Sequence, residues 1–129
     1  MKSSTLRLSG SVLVGLVAVV LILAGTLKLI GAGADDMVEG LEKARLIQHL
    51  PLISIAAIVC GVFLLIPPTR PLGLLMASSY WGGAIVAHLT YNDSFVMPAA
   101  FLLILWLGSL LQTDFVAARL QSDTAKEEA

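Results

Sequence analysis

The chain has 129 residues, of which 57% are hydrophobic and only 13% are charged, and its mean hydropathy is +0.91. A typical soluble domain carries about 25% charged residues, so this composition excludes a disordered charged tail and argues against a water-soluble enzyme. The formal net charge of −1 provides no basic field for nucleic acid. Cys60 is the single cysteine, which excludes an intramolecular disulfide or a Cys-x-x-Cys pair.

Four runs without Asp, Glu, Lys or Arg define the predicted architecture. They cover residues 11–27, 46–69, 71–92 and 94–113, and each is close to the roughly 20 helical residues that cross a hydrocarbon core of about 30 Å. A membrane span must satisfy its backbone polar groups internally, which favours helices. We therefore predict an all-α, integral membrane four-helix antiparallel bundle. The predicted spans are 10–30, 51–66, 72–90 and 95–112, within a single domain over 1–112 that is followed by a polar, fraying cytoplasmic tail over 113–129.

Short connections separate the last three spans. Pro51 and Pro98 fall in first turns, where a missing N–H costs little. Residues 67–71 contain three prolines around Arg70, and residues 91–94 are polar. Links this short make consecutive spans antiparallel neighbours.

The first connection is longer and shows helical periodicity. Met37, Val38 and Leu41 share one face at helical spacing, and Asp35 or Asp36 suits an N-cap. We predict a short amphipathic helix at the membrane surface. A solvated loop with accidental periodicity is the alternative.

The distribution of Lys and Arg predicts the orientation. Five of them lie on one side and three on the other, which favours both termini in the cytoplasm. The five are Lys2, Arg7, Arg70, Arg119 and Lys126, and the three are Lys28, Lys43 and Arg45. A cleaved signal peptide competes for the first span, but that apolar stretch is longer than the usual 7–15 residues or so.

Two basic side chains near the predicted outer ends of spans form the candidate site. Lys28 lies near the outer end of the first span, and His88 lies at a similar depth on the third span, which also carries Tyr80 and Trp81. A lysine at this place either extends its ammonium to the interface or points inward, towards an anion or a carbonyl oxygen. His88 is either an interfacial histidine bonded to a neighbour or, with Lys28 and an aspartate at 35–36, part of a proton-exchanging site.

Small residues recur every four positions on the third span. Ser79, Gly83 and Ala87 form a predicted helix-packing stripe, because small side chains let another helix approach closely. Gly82 and Gly83 could instead admit a flat ligand against the backbone. Two tryptophans are more central than an interfacial belt requires, and we expect both to pack inside: Trp81 and Trp106.

Several classes of site are disfavoured. No acidic residue lies deep in a span, which argues against a proton-coupled pump and against a channel or carrier. The scattered histidines and methionines match no metal-ligand spacing, so no metal is predicted. A haem would need His49 with His88 as a half-exposed axial pair, which is disfavoured. With no nucleophilic triad or phosphate loop, the sequence leaves open whether the protein is an enzyme.

Three segments resemble the DoxX-like family of small four-helix bacterial membrane proteins. They are Gly25–Leu29 (GTLKL), Ile66–Gly73 (IPPTRPLG) and Tyr80–Leu89 (YWGGAIVAHL), and their order and spacing match across residues 10–112. The resemblance implies one four-helix bundle in the bacterial inner membrane. It also implies a link to redox biology, because a related subunit belongs to a thiosulfate:quinone oxidoreductase. Relatives often carry a glutamate early in the second span, whereas this chain has Ser54, Ala56 and Ala57 there.

Two function hypotheses follow. The first is a redox-associated accessory subunit, in which a quinone-like or sulfur-compound pocket is formed by Lys28, Tyr80, Trp81, Gly82, Gly83 and His88. The second is a non-catalytic assembly or scaffold subunit, which packs against a larger membrane partner or another copy of itself through Ser79, Gly83 and Ala87. The lipid bilayer is a partner in both. The residues themselves indicate no cofactor. The resemblance to the DoxX-like family allows a bound quinone.

Overall fold

The computed structural model describes residues 3–113 and 122–128. The first of these ranges contains five α-helices: α1 Ser3–Ile30, α2 Asp35–Lys43, α3 Leu50–Leu65, α4 Arg70–Thr90 and α5 Val96–Leu111. Single 3-10 turns at Ile47–His49 and Pro67–Thr69 lead into α3 and α4. Residues 122–128 are also helical, and neither range contains a strand. The predicted all-α class is confirmed.

Three helical stretches in the described ranges are long and apolar enough to cross a membrane. They are Ser4–Ile30, Ile47–Leu65 and Pro67–Thr90, with 27, 19 and 24 residues. The fourth predicted span forms α5, which is apolar but has 16 residues. Helix ends lie within two residues of the predicted spans except that α1 begins at Ser3 and not at Gly10. The charge of Arg7 limits contact with hydrocarbon but does not interrupt helical hydrogen bonding, so the helix extends beyond the apolar run.

The four long helices form a closed ring. α1 contacts both α3 and α5, and α4 contacts the same two helices from the other side. Leu21, Leu64 and Leu105 are fully buried where the helices meet. The outer surface of the ring is also apolar, as Leu75 and Leu103 illustrate with 63% and 72% exposure.

Glycines bring neighbouring helices close to backbone contact. A Cβ built on Gly25 of α1 would lie 2.6 Å from the Ser54 carbonyl oxygen of α3. A Cβ on Gly108 of α5 would lie 2.9 Å from the Gly10 carbonyl oxygen of α1. The C-terminal part of α1 therefore meets the beginning of α3, and the N-terminal part of α1 meets the end of α5.

A polar cluster joins the four long helices at the end of the ring that contains the α3–α4 turn. Arg70 Nε donates to the Leu64 carbonyl oxygen at 2.9 Å. The Gln112 side-chain amide lies 2.7 Å from Ser11 Oγ. With its oxygen turned towards Ser11, this amide accepts from Ser11 Oγ and, at 3.0 Å, from Arg70 Nη1. The cluster thus links α1, α3, α4 and the end of α5.

Two local predictions are wrong. The N-cap of α2 is Ala34, without a side-chain cap bond, and Asp35 and Asp36 lie in the first helical turn. There the carboxylates favour the helix through its dipole and not through a cap. Trp106 does not pack inside: it is 41% exposed, because its face of α5 is turned outward, and its indole N–H donates to Ser78 Oγ at 2.9 Å.

Part of the predicted tail is helical. Residues 114–121 and 129 of the predicted tail lie outside the described residues. Residues 122–128 are helical and exposed.

Candidate functional site

A cavity of about 1050 Å³ lies where the C-terminal parts of α1 and α4 meet the first turns of α3 and α5. All five helices contribute side chains to it, and α2 covers part of it. Ligand pockets in proteins are about 300–1,000 Å³, so this volume would hold a molecule of considerable size. Most of its walls are apolar. Polar side chains also line it, among them Lys28, Tyr80, His88 and Asp93.

Lys28 is buried in the wall of this cavity. Its side chain reaches inward, with 6% exposure, and Nζ donates to the Tyr80 hydroxyl oxygen at 2.9 Å. Nζ also lies 5.6 Å from the centroid of the Tyr80 ring. Of the two readings of Lys28, the structure shows the inward one. Among the described residues, no carboxylate forms an ion pair with it.

Three aromatic rings continue from Lys28 along the cavity. Tyr80 and Trp81 pack edge to face, with ring centroids 5.4 Å apart, and Trp81 stacks on Phe101 of α5 with centroids 5.1 Å apart and an angle of 18°. Trp81 is 7% exposed, as predicted for an inside tryptophan. Its indole N–H is buried and has no hydrogen-bond partner in the described chain.

His88 belongs to a second polar group at the C-terminal end of α4. Its Nδ1 lies 3.2 Å from Asp93 Oδ2 and 3.2 Å from the Tyr91 hydroxyl. Burial, and then the nearby Asp93 carboxylate, raises the pKa of Tyr91. His88 is therefore hydrogen-bonded to neighbours, and it lines the same cavity as Lys28, whose hydrogen bond goes to Tyr80.

The helix α2 lies over the cavity and touches this second group. A Cβ on Gly40 would lie 3.1 Å from the Tyr91 hydroxyl oxygen. Lys43 pairs with Glu39 at 2.8 Å on the exposed face of the helix, and this hydrogen bond raises the pKa of Lys43. The turns that flank α2 contain residues with positive φ: Gly31 at 71°, Gly33 at 65° and Arg45 at 61°.

The structure brings most of the predicted site residues together. Lys28, Tyr80, Trp81, Gly83 and His88 all line the cavity. Asp36 does so too, although Asp35 does not. Gly82 does not line it either, and no atom outside its own helix lies within 4 Å of a Cβ built there.

The predicted packing stripe faces the cavity and not another helix of the ring. Ser79, Gly83 and Ala87 line the cavity, and a Cβ on Gly83 would meet nothing within 4 Å. The close approaches within the described chain occur at other glycines, among them Gly25 and Gly61. Whether the stripe packs against another protein stays a prediction.

Several contributing residues were not foreseen from the sequence. Phe101 was an ordinary apolar residue in the fourth span, and its stacking on Trp81 depends on which face of α5 turns inward. In the sequence Asp93 lies in a connection, but it follows His88 by only five residues and comes within reach of it because α4 ends between them. No group of three metal-ligating side chains occurs in the described ranges.

No family model, no curated protein and no solved structure matches this chain. The resemblance to the DoxX-like family therefore rests on the three sequence segments quoted above.

Proposed function

We propose that this chain is an integral protein of the bacterial inner membrane, folded as an antiparallel four-helix bundle. The three long apolar helices and the apolar outer surface of the ring support this proposal. Connections of few residues between α3, α4 and α5 support the antiparallel order. α5 would span a slightly thinner apolar layer, which its 16 residues allow if the bilayer adapts locally.

The proposed orientation has both termini in the cytoplasm. Arg70 and the polar cluster with Gln112 then lie at the cytoplasmic end, and α2 lies at the outer surface as an amphipathic cover. Met37, Val38 and Leu41 are half-buried on α2, while the ion-paired Lys43 and Glu39 are exposed. This division of one helix into two faces is typical of an interfacial helix.

We further propose that the bundle acts as a redox-associated accessory subunit, which binds a quinone-like or sulfur-containing compound in the cavity. The observation that carries this is the buried Lys28, which faces a large cavity beside Tyr80. An ammonium and a phenol are suitable donors for a carbonyl oxygen or a sulfur oxyanion. The stacked pair of Trp81 and Phe101 offers a flat surface for an apolar ring. In the DoxX-like family, which the chain resembles, a related subunit serves a thiosulfate:quinone oxidoreductase.

Native mass spectrometry of the protein, released from gently solubilised membranes, tests this function. We expect a mass increment that matches a small molecule, or a redox protein that co-elutes. Lys28→Met should lose the increment, whereas Lys43→Met, at an exposed lysine of the same cavity, should retain it. A bare chain without ligand or redox partner would refute the proposal.

The alternative function is a non-catalytic scaffold subunit of a larger membrane complex. The open face at Gly83 favours it, because a helix from another protein could approach α4 there without meeting a side chain. In a pull-down from solubilised membranes, Gly83→Leu should lose the partner. Gly15→Leu is the matched control, since a Cβ on Gly15 of α1 also meets nothing within 4 Å. Equal recovery with both variants would contradict the scaffold function.

A further inference from the structure

Lys28 and Tyr80 leave unused hydrogen-bond donors beside the cavity. An ammonium carries three N–H donors. Among the described residues, Lys28 Nζ donates to one acceptor, the Tyr80 hydroxyl oxygen. Because Tyr80 accepts in that bond, its own O–H remains available, and no described residue accepts from it. Two donors that are 2.9 Å apart therefore share one part of the cavity wall.

The charge of Lys28 is also uncompensated. Lys43, the other lysine of the cavity, is exposed and already paired with Glu39, whereas Lys28 is 6% exposed and has no ion pair in the described chain. A buried charge strongly favours an opposite charge beside it. One ammonium matches a head group with one negative charge, and a dianionic phosphate would need a second buried cation. The carboxylates of the cavity itself are all exposed: Asp36, Glu39 and Asp93.

The rest of the wall near this pair is apolar. Val20 and Ala24 lie on the same helix as Lys28, and the stacked rings of Trp81 and Phe101 adjoin Tyr80. A head group alone would fill a small part of about 1050 Å³. The remaining surface suits an aliphatic or aromatic body, because burial of apolar surface stabilises the complex.

We propose that the cavity binds a lipophilic monoanion, whose oxyanion head lies between Lys28 Nζ and the Tyr80 hydroxyl. The head accepts one hydrogen bond from each donor through two oxygens, and both bonds are charge-assisted. A carboxylate and a sulfonate share this chemistry. The inference rests on the cavity of the proposed function and goes beyond its ligand classes, because it admits a carboxylate, and because a neutral quinone would leave the Lys28 charge uncompensated.

The chain contains two tryptophans, which allows a specific optical test. Trp106→Phe leaves Trp81, in the cavity wall, as the sole tryptophan. The full-length protein in phosphatidylcholine nanodiscs is titrated with dodecanoate, dodecanesulfonate, dodecanol and decylubiquinone while Trp81 emission is recorded. We expect saturable changes with the two anions and none with dodecanol. Lys28→Met should weaken anion binding by about tenfold or more, and Tyr80→Phe by a few-fold. Lys43→Met should bind as the parent does.

The other outcomes separate this inference from the proposed function. If decylubiquinone alone saturates, and does so only with Lys28 present, the inference is wrong while the proposed function stands. If no compound saturates, the inference is wrong, and the native mass spectra described above decide separately on the proposed function. Equal anion binding by Lys28→Met indicates simple partitioning into the nanodisc and overturns the inference. If phosphatidylglycerol in the nanodisc displaces the anions, the site still takes a lipophilic monoanion, and the displacement identifies a lipid phosphodiester as its source, which supports the inference.

Discussion

Replacing Gly25 with alanine tests the close packing of α1 against α3. A Cβ at this position would lie 2.6 Å from the Ser54 carbonyl oxygen and 2.8 Å from Ile58 Cγ1. Ile58 can rotate, but a backbone oxygen moves only if the helix moves with it. Gly15 is the matched control, because it lies in the same helix and an added Cβ there meets nothing within 4 Å.

The expected magnitudes follow from two opposing effects. Alanine stabilises a helix interior over glycine by about 0.5–1 kcal/mol. Overpacking of a closely packed contact costs about 1–3 kcal/mol. We therefore expect Gly15→Ala to raise the free energy of unfolding by up to about 1 kcal/mol. Gly25→Ala should be about 1–3 kcal/mol less stable than Gly15→Ala, because the overpacking cost applies to it alone.

The assay is reversible unfolding of both variants in the same detergent micelles, followed by far-UV circular dichroism. Gly25→Leu extends the series, since a larger side chain should enlarge the loss. The packing of α1 on α3 would be refuted if Gly25→Ala matched Gly15→Ala in stability. This includes the case in which Gly25→Ala and Gly15→Ala lose the same stability, because equal losses would show that α1 tolerates alanine poorly at any position.

Three further predictions concern polar side chains. Gln112→Leu should lower the free energy of unfolding by about 1 kcal/mol, because it removes the hydrogen bond to Ser11 that joins α5 to α1; an unchanged unfolding curve would contradict this. The raised pKa of Tyr91 means that the unfolded chain loses the phenolic proton first, so stability should fall as the pH rises above about 10. Tyr91→Phe should lessen that fall in a pH series of unfolding curves, and an identical fall would show that Tyr91 does not cause it. Lys28→Met should raise stability by about 1 kcal/mol or more, because it removes an uncompensated buried charge. A clear loss of stability, greater than that of Tyr80→Phe, would show that Lys28 has a structural role.

The spans could be predicted because membrane-length helices are marked by missing charges. Residues 71–92 carry no charged side chain, and α4 covers Arg70–Thr90. Proline adds local precision, since Pro71 lies in the first turn of α4 as a missing N–H permits. The start of α1, in contrast, was not predicted correctly from the charge of Arg7. A charged side chain limits contact with hydrocarbon, but it does not prevent helix formation, so α1 begins at Ser3.

The inward faces of the helices could not be predicted from the sequence. α3 and α5 are apolar on all sides, so no periodicity distinguishes the face of Phe101, towards the cavity, from that of Trp106, towards the outside. Lys28 left the same uncertainty, because a lysine near the end of a span can extend to the interface or turn inward. The hydrogen bond to Tyr80, 52 positions later in the chain, holds Lys28 in the inward orientation. That bond depends on how α1 is placed relative to α4, which local sequence does not specify.

The two proposed functions share one surface of α4, so they need not exclude each other. Gly83 and Ala87 line the cavity that Lys28 faces. A partner helix that docked along these small residues would therefore lie over the cavity and cover part of its opening. A ligand that filled the cavity would, in turn, supply apolar surface to that helix. Thermodynamic linkage then requires that any effect of the partner on ligand affinity equals the effect of the ligand on partner affinity. If Gly83→Leu abolishes partner binding and leaves Trp81 titrations unchanged in the absence of partner, the stripe on α4 and the site formed by Lys28 of α1 with Tyr80 of α4 have separable functions.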